Sequence, residues 1–185
     1  MPEKTHHPPF ELPRSFRPTL VDASGASKPA TSDDHVKTDV LLAIKPVHLA
    51  HIASQQKNHE YRKYRLPDEV TRLWFYETRD GGDEGRSFIT HVAVIPAGVR
   101  HTPGTVPEKL LGIGNDDFND GRKVSKYGYP VLELYKLARP VALDEMNSRW
   151  AMGSPTGWRY VPAALWLDRW GSYDDARANK VFRVF

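Results

Sequence analysis

Lys57-Asn58-His59-Glu60-Tyr61-Arg62-Lys63-Tyr64-Arg65 carries four of the chain's 26 basic residues, two tyrosines and a single acid. Read as a strand, its period of two puts Glu60, Arg62 and Tyr64 on one face and Tyr61, Lys63 and Arg65 on the other. A carboxylate and a guanidinium two positions apart on an inward face are expensive to bury, and they need each other or a polar ligand to offset desolvation. The same groups suit a ligand. Ammonium and guanidinium ions hold phosphates or base edges, and Tyr61, Tyr64 or Tyr160 offers a ring on which a base stacks. The competing reading is a structural ion pair between Glu60 and Arg62 or Lys57.

Upstream, Asp39-Val40-Leu41-Leu42-Ala43-Ile44 is apolar enough to predict a buried strand, and Lys45-Pro46 closes it where proline suits the first turn of a helix. The helix is expected over Pro46–Gln55, with Leu49, Ile52 and Ala53 on one face and His48, His51 and Gln55 on another. Downstream, Thr71–Thr78 and Ser87–Ala97 predict strands separated by a turn at Arg79–Gly85. Val106–Gly112 predicts a short helix entered at Pro107, and Gly112–Gly128, with four glycines, predicts a loop. Tyr129–Leu137 reads as a strand, and Pro140–Met146 as an edge segment running into a turn of helix. Trp150, Trp158, Trp166 and Trp170 hold four of the five tryptophans; Trp158, Tyr160, Trp166 and Trp170 are read as packed core capping the barrel, with a stacking platform as the alternative. The expected class is α+β, a small mixed β-barrel or strongly curved sheet with short flanking helices.

Ile44-Lys45-Pro46, the short helix, and Ser54-Gln55-Gln56-Lys57-Asn58-His59-Glu60-Tyr61-Arg62 resemble the ASCH domain, a PUA-like β-barrel family. That family's pattern is a strand ending in Lys-Pro, a helix, then Gly-x-Lys-x-x-Glu-x-Arg. Lys57, Glu60 and Arg62 match it, while Gln55 stands at the glycine, where a left-handed helix cap is costlier for glutamine. Tyr129–Pro140 and Pro155-Thr156-Gly157-Trp158-Arg159-Tyr160-Val161 also look family-like, so the resemblance spans about Val40 to Val161.

The resemblance implies a cleft lined by Lys57, Glu60 and Arg62, with Lys45 at its entrance and Tyr160 as a further ligand-binding residue, that binds RNA or a modified nucleoside. Lys57 and Arg62 hold phosphate or carbonyl groups in this reading, and Glu60 accepts from a base amino group or serves as general base. The alternative it carries is a metal-independent hydrolase with Lys57 and Glu60 as catalytic residues, because some ASCH-type proteins are amidohydrolases of N4-acetylcytidine and others are proposed ribonucleases. For the amidohydrolase Lys57 matches the lysine, but Glu60 stands where those enzymes have threonine; Glu77 is the candidate for a separate carboxylate.

Composition bounds the rest. At 185 residues, 39% hydrophobic, the chain is expected to hold one domain. Residues 1–37 contain six of the fifteen prolines, two of the twenty aromatics, and five basic against five acidic residues, which predicts a disordered tail or strap, with a protein partner as its candidate role. Residues 38–170 form the expected domain with its aromatic extension, and 171–185 a C-terminal segment. The whole net charge of +3 therefore lies after residue 37. With no cysteine, thiolate catalysis, disulfides and Cys-ligated metal are excluded. No apolar run of roughly 18 residues and no charged-then-apolar leader is present, so no membrane association and an intracellular place, cytoplasm or nucleus, are expected. No cofactor or metal is expected either. His48, His51 and His59 lack metalloprotease spacing, and Gly112–Gly121 lacks both a dinucleotide fingerprint and a calcium-loop order.

Overall fold

The apolar run at 39–44 is the centre of β1 (His35–Ile44) in the computed structural model, which describes residues 34–79, 87–171 and 177–185. Its side chains alternate between two cores. Val40, Leu42 and Ile44 enter one, and Leu41 the other. Neighbouring β3 (Arg72–Glu77) divides in the same way, with Leu73 and Phe75 on the first side and Trp74 and Tyr76 on the second. A strand apolar on both faces must be covered on both.

The first core is closed by α1 (Pro46–Ala53), through Leu49 and Ile52, and by a two-stranded ladder of β2 (His59–Arg62) and β5 (Tyr127–Pro130), through Tyr129. The second is closed by α3 (Leu143–Trp150) and α4 (Ala163–Arg169), which contribute Met146 and Leu165. Between them lies a six-stranded sheet of order β7-β1-β3-β4-β6-β8, completed by β4 (Phe88–Val94), β6 (Glu133–Ala142), β7 (Trp158–Pro162) and β8 (Val181–Arg183). A further short helix is α2 (Asn115–Asn119).

The α+β class is observed, but the expected barrel is not: the sheet is open, with β7 and β8 at its edges, and the β2–β5 ladder stands apart. The physical reason is the two-sided burial of β1 and β3, which calls for a covering layer on each face rather than a single enclosed interior.

β1 and β3 are parallel, and the chain between them carries α1 and β2. Their register is locked by charge. Asp39 lies directly opposite Arg72, is fully buried, and accepts from Arg72 Nε at 2.7 Å and from Trp74 Nε1 at 2.8 Å. A one-residue slip would turn every side chain to the wrong face and unpair that carboxylate.

Several boundaries differ from expectation. β1 starts at His35, ahead of Thr38, because His35 and Val36 pair with Pro162 and Val161; residues 1–33, where most of the tail is expected, lie outside the described residues. Val106–Gly112 is not a helix: the Val106 N–H donates to Asn119 Oδ1 at 3.1 Å and its carbonyl accepts from Asn119 Nδ2 at 2.8 Å. The helix comes later, inside the expected loop, entered from left-handed Gly114 (φ 87°) with Asp116 and Asp117 complementing its positive end. The single strand expected at Tyr129–Leu137 divides into β5 and β6, which join different sheets. β8, from the segment set apart at 171–185, pairs with β6. Trp170 is buried, and Trp158, Tyr160 and Trp166 pack against the two cores as expected; Trp150 packs there too.

Candidate functional site

The site begins at the end of α1. Gln55 takes the left-handed conformation (φ 59°) that the family pattern assigns to glycine, and the reversal lets the Lys57 N–H donate to the His51 carbonyl at 2.9 Å. This turn delivers Lys57 to the head of β2, where Glu60 and Arg62 project together, as the period of two requires. Glu60 is 4% exposed and Lys57 6%. Lys57 Nζ lies 2.5 Å from Glu60 Oε2, and Arg62 Nη2 lies 2.8 Å from Glu60 Oε1. The same Arg62 nitrogen donates to the Ala43 carbonyl of β1 at 2.6 Å. Burial alone would push the Glu60 pKa upward, but the two cations outweigh it and hold the carboxyl below its ordinary value. Arg62 Nε is buried with no hydrogen-bond partner among the described residues.

Against this cluster opens a pocket of about 140 Å³ lined by His48, Lys57, Glu60, Tyr61, Ile113, Lys123 and Ser125. Its far wall comes from the 110–125 stretch, which Asn58 fastens down. Asn58 Nδ2 donates to the Leu111 carbonyl at 3.1 Å, and its Oδ1 accepts from Asn115 Nδ2 at 3.1 Å. The Ile113 N–H donates to the Gln56 carbonyl at 2.8 Å, and Tyr61 Oη to Asn115 Oδ1 at 2.7 Å. Lys123 Nζ stands 5.4 Å from the centre of the Tyr61 ring, and Lys57 Nζ stands 5.9 Å from it. The end of the Lys123 chain crosses Gly114, where a methyl group would lie 2.8 Å from Nζ, and the φ of 87° is what calls for glycine there.

His48 lines the pocket, and His59 and His101 lie behind Tyr61. Burial lowers the His48 pKa, with Lys57 acting in the same direction. Burial, then His101 and Lys57, bring His59 down to about 4. The His59 ring stacks on Tyr61 at 5.9 Å and meets His101 edge-on at 5.2 Å. Among the described residues no three His, Asp or Glu side chains form a group able to hold a metal ion.

Of the residues expected in the cleft, Lys57, Glu60 and Arg62 come together, and of the three Lys57 and Glu60 line the pocket while Arg62 stands behind Glu60. Lys45 is exposed at the start of α1, where its carbonyl accepts the His48 and Leu49 N–H groups, and it does not line the pocket. Tyr160 lies on β7 opposite Val40, edge-on to Trp158 at 5.2 Å and under Lys37 Nζ at 4.3 Å, and is not among the pocket's walls. Tyr64 Oη reaches the Gly157 carbonyl at 3.4 Å. Glu77 borders a different pocket, of about 390 Å³, with His91 and the Pro46, Leu49 and Ala50 side of α1. Sequence reading missed Asn58, Gly114, Lys123 and Ser125, whose roles depend on a loop some 60 residues away folding back onto β2; no local pattern announces that contact.

Fold and site together define a class: an α+β domain in which the connection between two parallel strands carries a Lys-Glu-Arg cluster, its lysine and glutamate buried and its arginine half-buried, beside a small pocket. The chain has the fold of the ASCH domain. It is similar to the ASCH protein of Zymomonas mobilis in crystal structures of two point variants. One matches with a TM-score of 0.53 and 18% identity over 72% of this chain and 95% of that one. The other matches with 0.52 and 17% over 71% and 95%. No family model and no curated protein matches the sequence. Among the described residues no helix is long and apolar enough to cross a membrane.

Proposed function

We propose that the chain is an RNA-binding domain of the ASCH type that grips its ligand in the cleft of Lys57, Glu60 and Arg62. The observation that carries this reading is the buried cluster itself: a carboxylate kept ionised between two cations, at the wall of an open pocket rather than sealed in a core. Lys57 has N–H bonds to spare beyond the one given to Glu60, and the ring of Tyr61 borders the same space, so cations, acceptor and stacking surface converge. The ASCH fold of the solved neighbours agrees with it.

Binding is favoured over hydrolysis. Lys57 Nζ is engaged by Glu60 at 2.5 Å, and Glu77, the carboxylate needed for an amidohydrolase, borders the other pocket. Fluorescence anisotropy with a labelled single-stranded oligouridylate tests the proposal. Binding should weaken as salt rises, and Arg62→Ala should reduce affinity about tenfold or more. Absence of binding at low salt, or full affinity in Arg62→Ala, overturns it.

A further inference from the structure

We propose that Lys123, together with His48 and Ser125, forms an anion subsite that takes one phosphoryl group, so that the cleft's ligand is a phosphate-bearing strand rather than a free nucleoside. The inference rests on the RNA-binding reading of the same cleft and narrows it.

The first support is charge. Glu60 is the one acid lining the pocket, and both Lys57 and Arg62 already press upon it. That leaves one positive charge in excess before Lys123 is counted. Lys123 makes no ion pair among the described residues, because nearby Asp117 and Asp120 are both taken by Arg122. Two ammonium groups thus gather around the Tyr61 ring in a half-enclosed space; the charge of Asp116 also reaches that ring, but Asp116 neither lines the pocket nor pairs with Lys123 among the described residues, so the pocket itself is short of a balancing charge. Phosphate supplies that balance. Lys123 provides the point charge, and the Ser125 hydroxyl and the His48 imidazole provide donors.

The second support is construction. Lys123 lies across Gly114, its Cε and Nζ 2.8 Å from where a Cβ would stand, and the glycine leaves the lysine room to lie there. The wall that holds Gly114 is itself bonded to Gln56 and Asn58 of the motif turn. The wall against which Lys123 lies is therefore seated by the same turn that places Lys57.

The third support is size. At about 140 Å³ the pocket lies well below the roughly 300–1,000 Å³ usual for whole small-molecule ligands. It admits one phosphoryl group or one base edge, with the rest of the ligand lying outside along the surface.

Two probes test the subsite on the full chain. Inorganic phosphate, followed by backbone amide NMR, should shift Ile113, Lys123 and Ser125 in the native protein and leave them nearly unmoved in Lys123→Gln. With oligouridylate, Lys123→Gln should weaken binding about tenfold and reduce the slope of log affinity against log salt by about 0.7, the value of one single-strand phosphate contact. Lys123→Arg should restore most of both. If phosphate leaves the three amides unmoved, or the salt slope is the same in Lys123→Gln, the subsite is overturned while the RNA reading stands. If phosphate binds there and oligouridylate does not, the RNA reading falls and the anion subsite remains.

Discussion

The Glu60 carboxylate and the Arg62 guanidinium meet at 2.8 Å on one side of β2, and the same Arg62 nitrogen reaches the Ala43 carbonyl of β1 at 2.6 Å. The cluster is thus a brace between the small ladder and the main sheet as well as a ligand grip. Removing its centre leaves two cations facing each other in a poorly solvated place. Glu60→Gln should destabilise the fold by about 3 kcal/mol at neutral pH, read by urea denaturation. The pH dependence carries a sign. The folded pKa lies below the ordinary 4.5, so the stabilisation is complete above 4.5 and is lost as pH falls through the folded value. The native protein should therefore lose stability more steeply below 4.5 than Glu60→Gln does, and parallel curves would refute the assignment.

Gln55 offers a gain rather than a loss. A left-handed φ of 59° costs a side-chain-bearing residue about 1 kcal/mol, part of which glycine returns as extra freedom of the unfolded chain. Gln55→Gly should raise stability by about 0.5 kcal/mol, seen as a small upward shift of the thermal midpoint. Gln55→Val, β-branched and barred from that conformation, should lower it by more than about 1 kcal/mol. An unchanged midpoint in both variants would show that the turn is not held as described.

His59 and His91 both titrate at about 4, each driven down chiefly by burial, with His101 and Lys57 adding for His59 and Lys136 for His91. Imidazole NMR signals should show both rings neutral through pH 5. Because the unfolded chain takes up these protons near 6.5 and the folded one near 4, their contribution is full above 6.5 and declines as pH falls across that interval. His91→Gln should flatten that part of the stability curve. A His91 signal that titrates near 6.5 would contradict its burial.

What was legible beforehand follows a physical line. The elements from β1 to β4 were readable because each is encoded locally: an apolar run at 40–44, proline at the start of α1, alternation at 59–62, aromatics at 72–77. Glu60 and Arg62 were paired from their spacing alone. The open sheet was not legible, because closure depends on which strands pair, and nothing local tells β5 to join β2 while β6 joins β4. α2 was hidden by a composition of Asn, Asp and Gly that reads as loop; five residues turn helical there with Asn115 buried against Asn58 and Asn119 bonded to Val106. β8 was missed because three residues, Val181-Phe182-Arg183, carry no periodicity of their own and owe their form to Tyr135, Lys136 and Leu137 opposite.

The contact between Asn58 and Gly112 has a consequence for inheritance. Any side chain at 112 would run into the Asn58 amide, and Asn58 in turn supplies the bonds that keep the 110–115 stretch seated. Neither position is free to drift by itself. Among descendants of this sequence the two should change together or not at all, so a loop that looks variable in composition is tied, through one residue pair, to the history of the motif it faces.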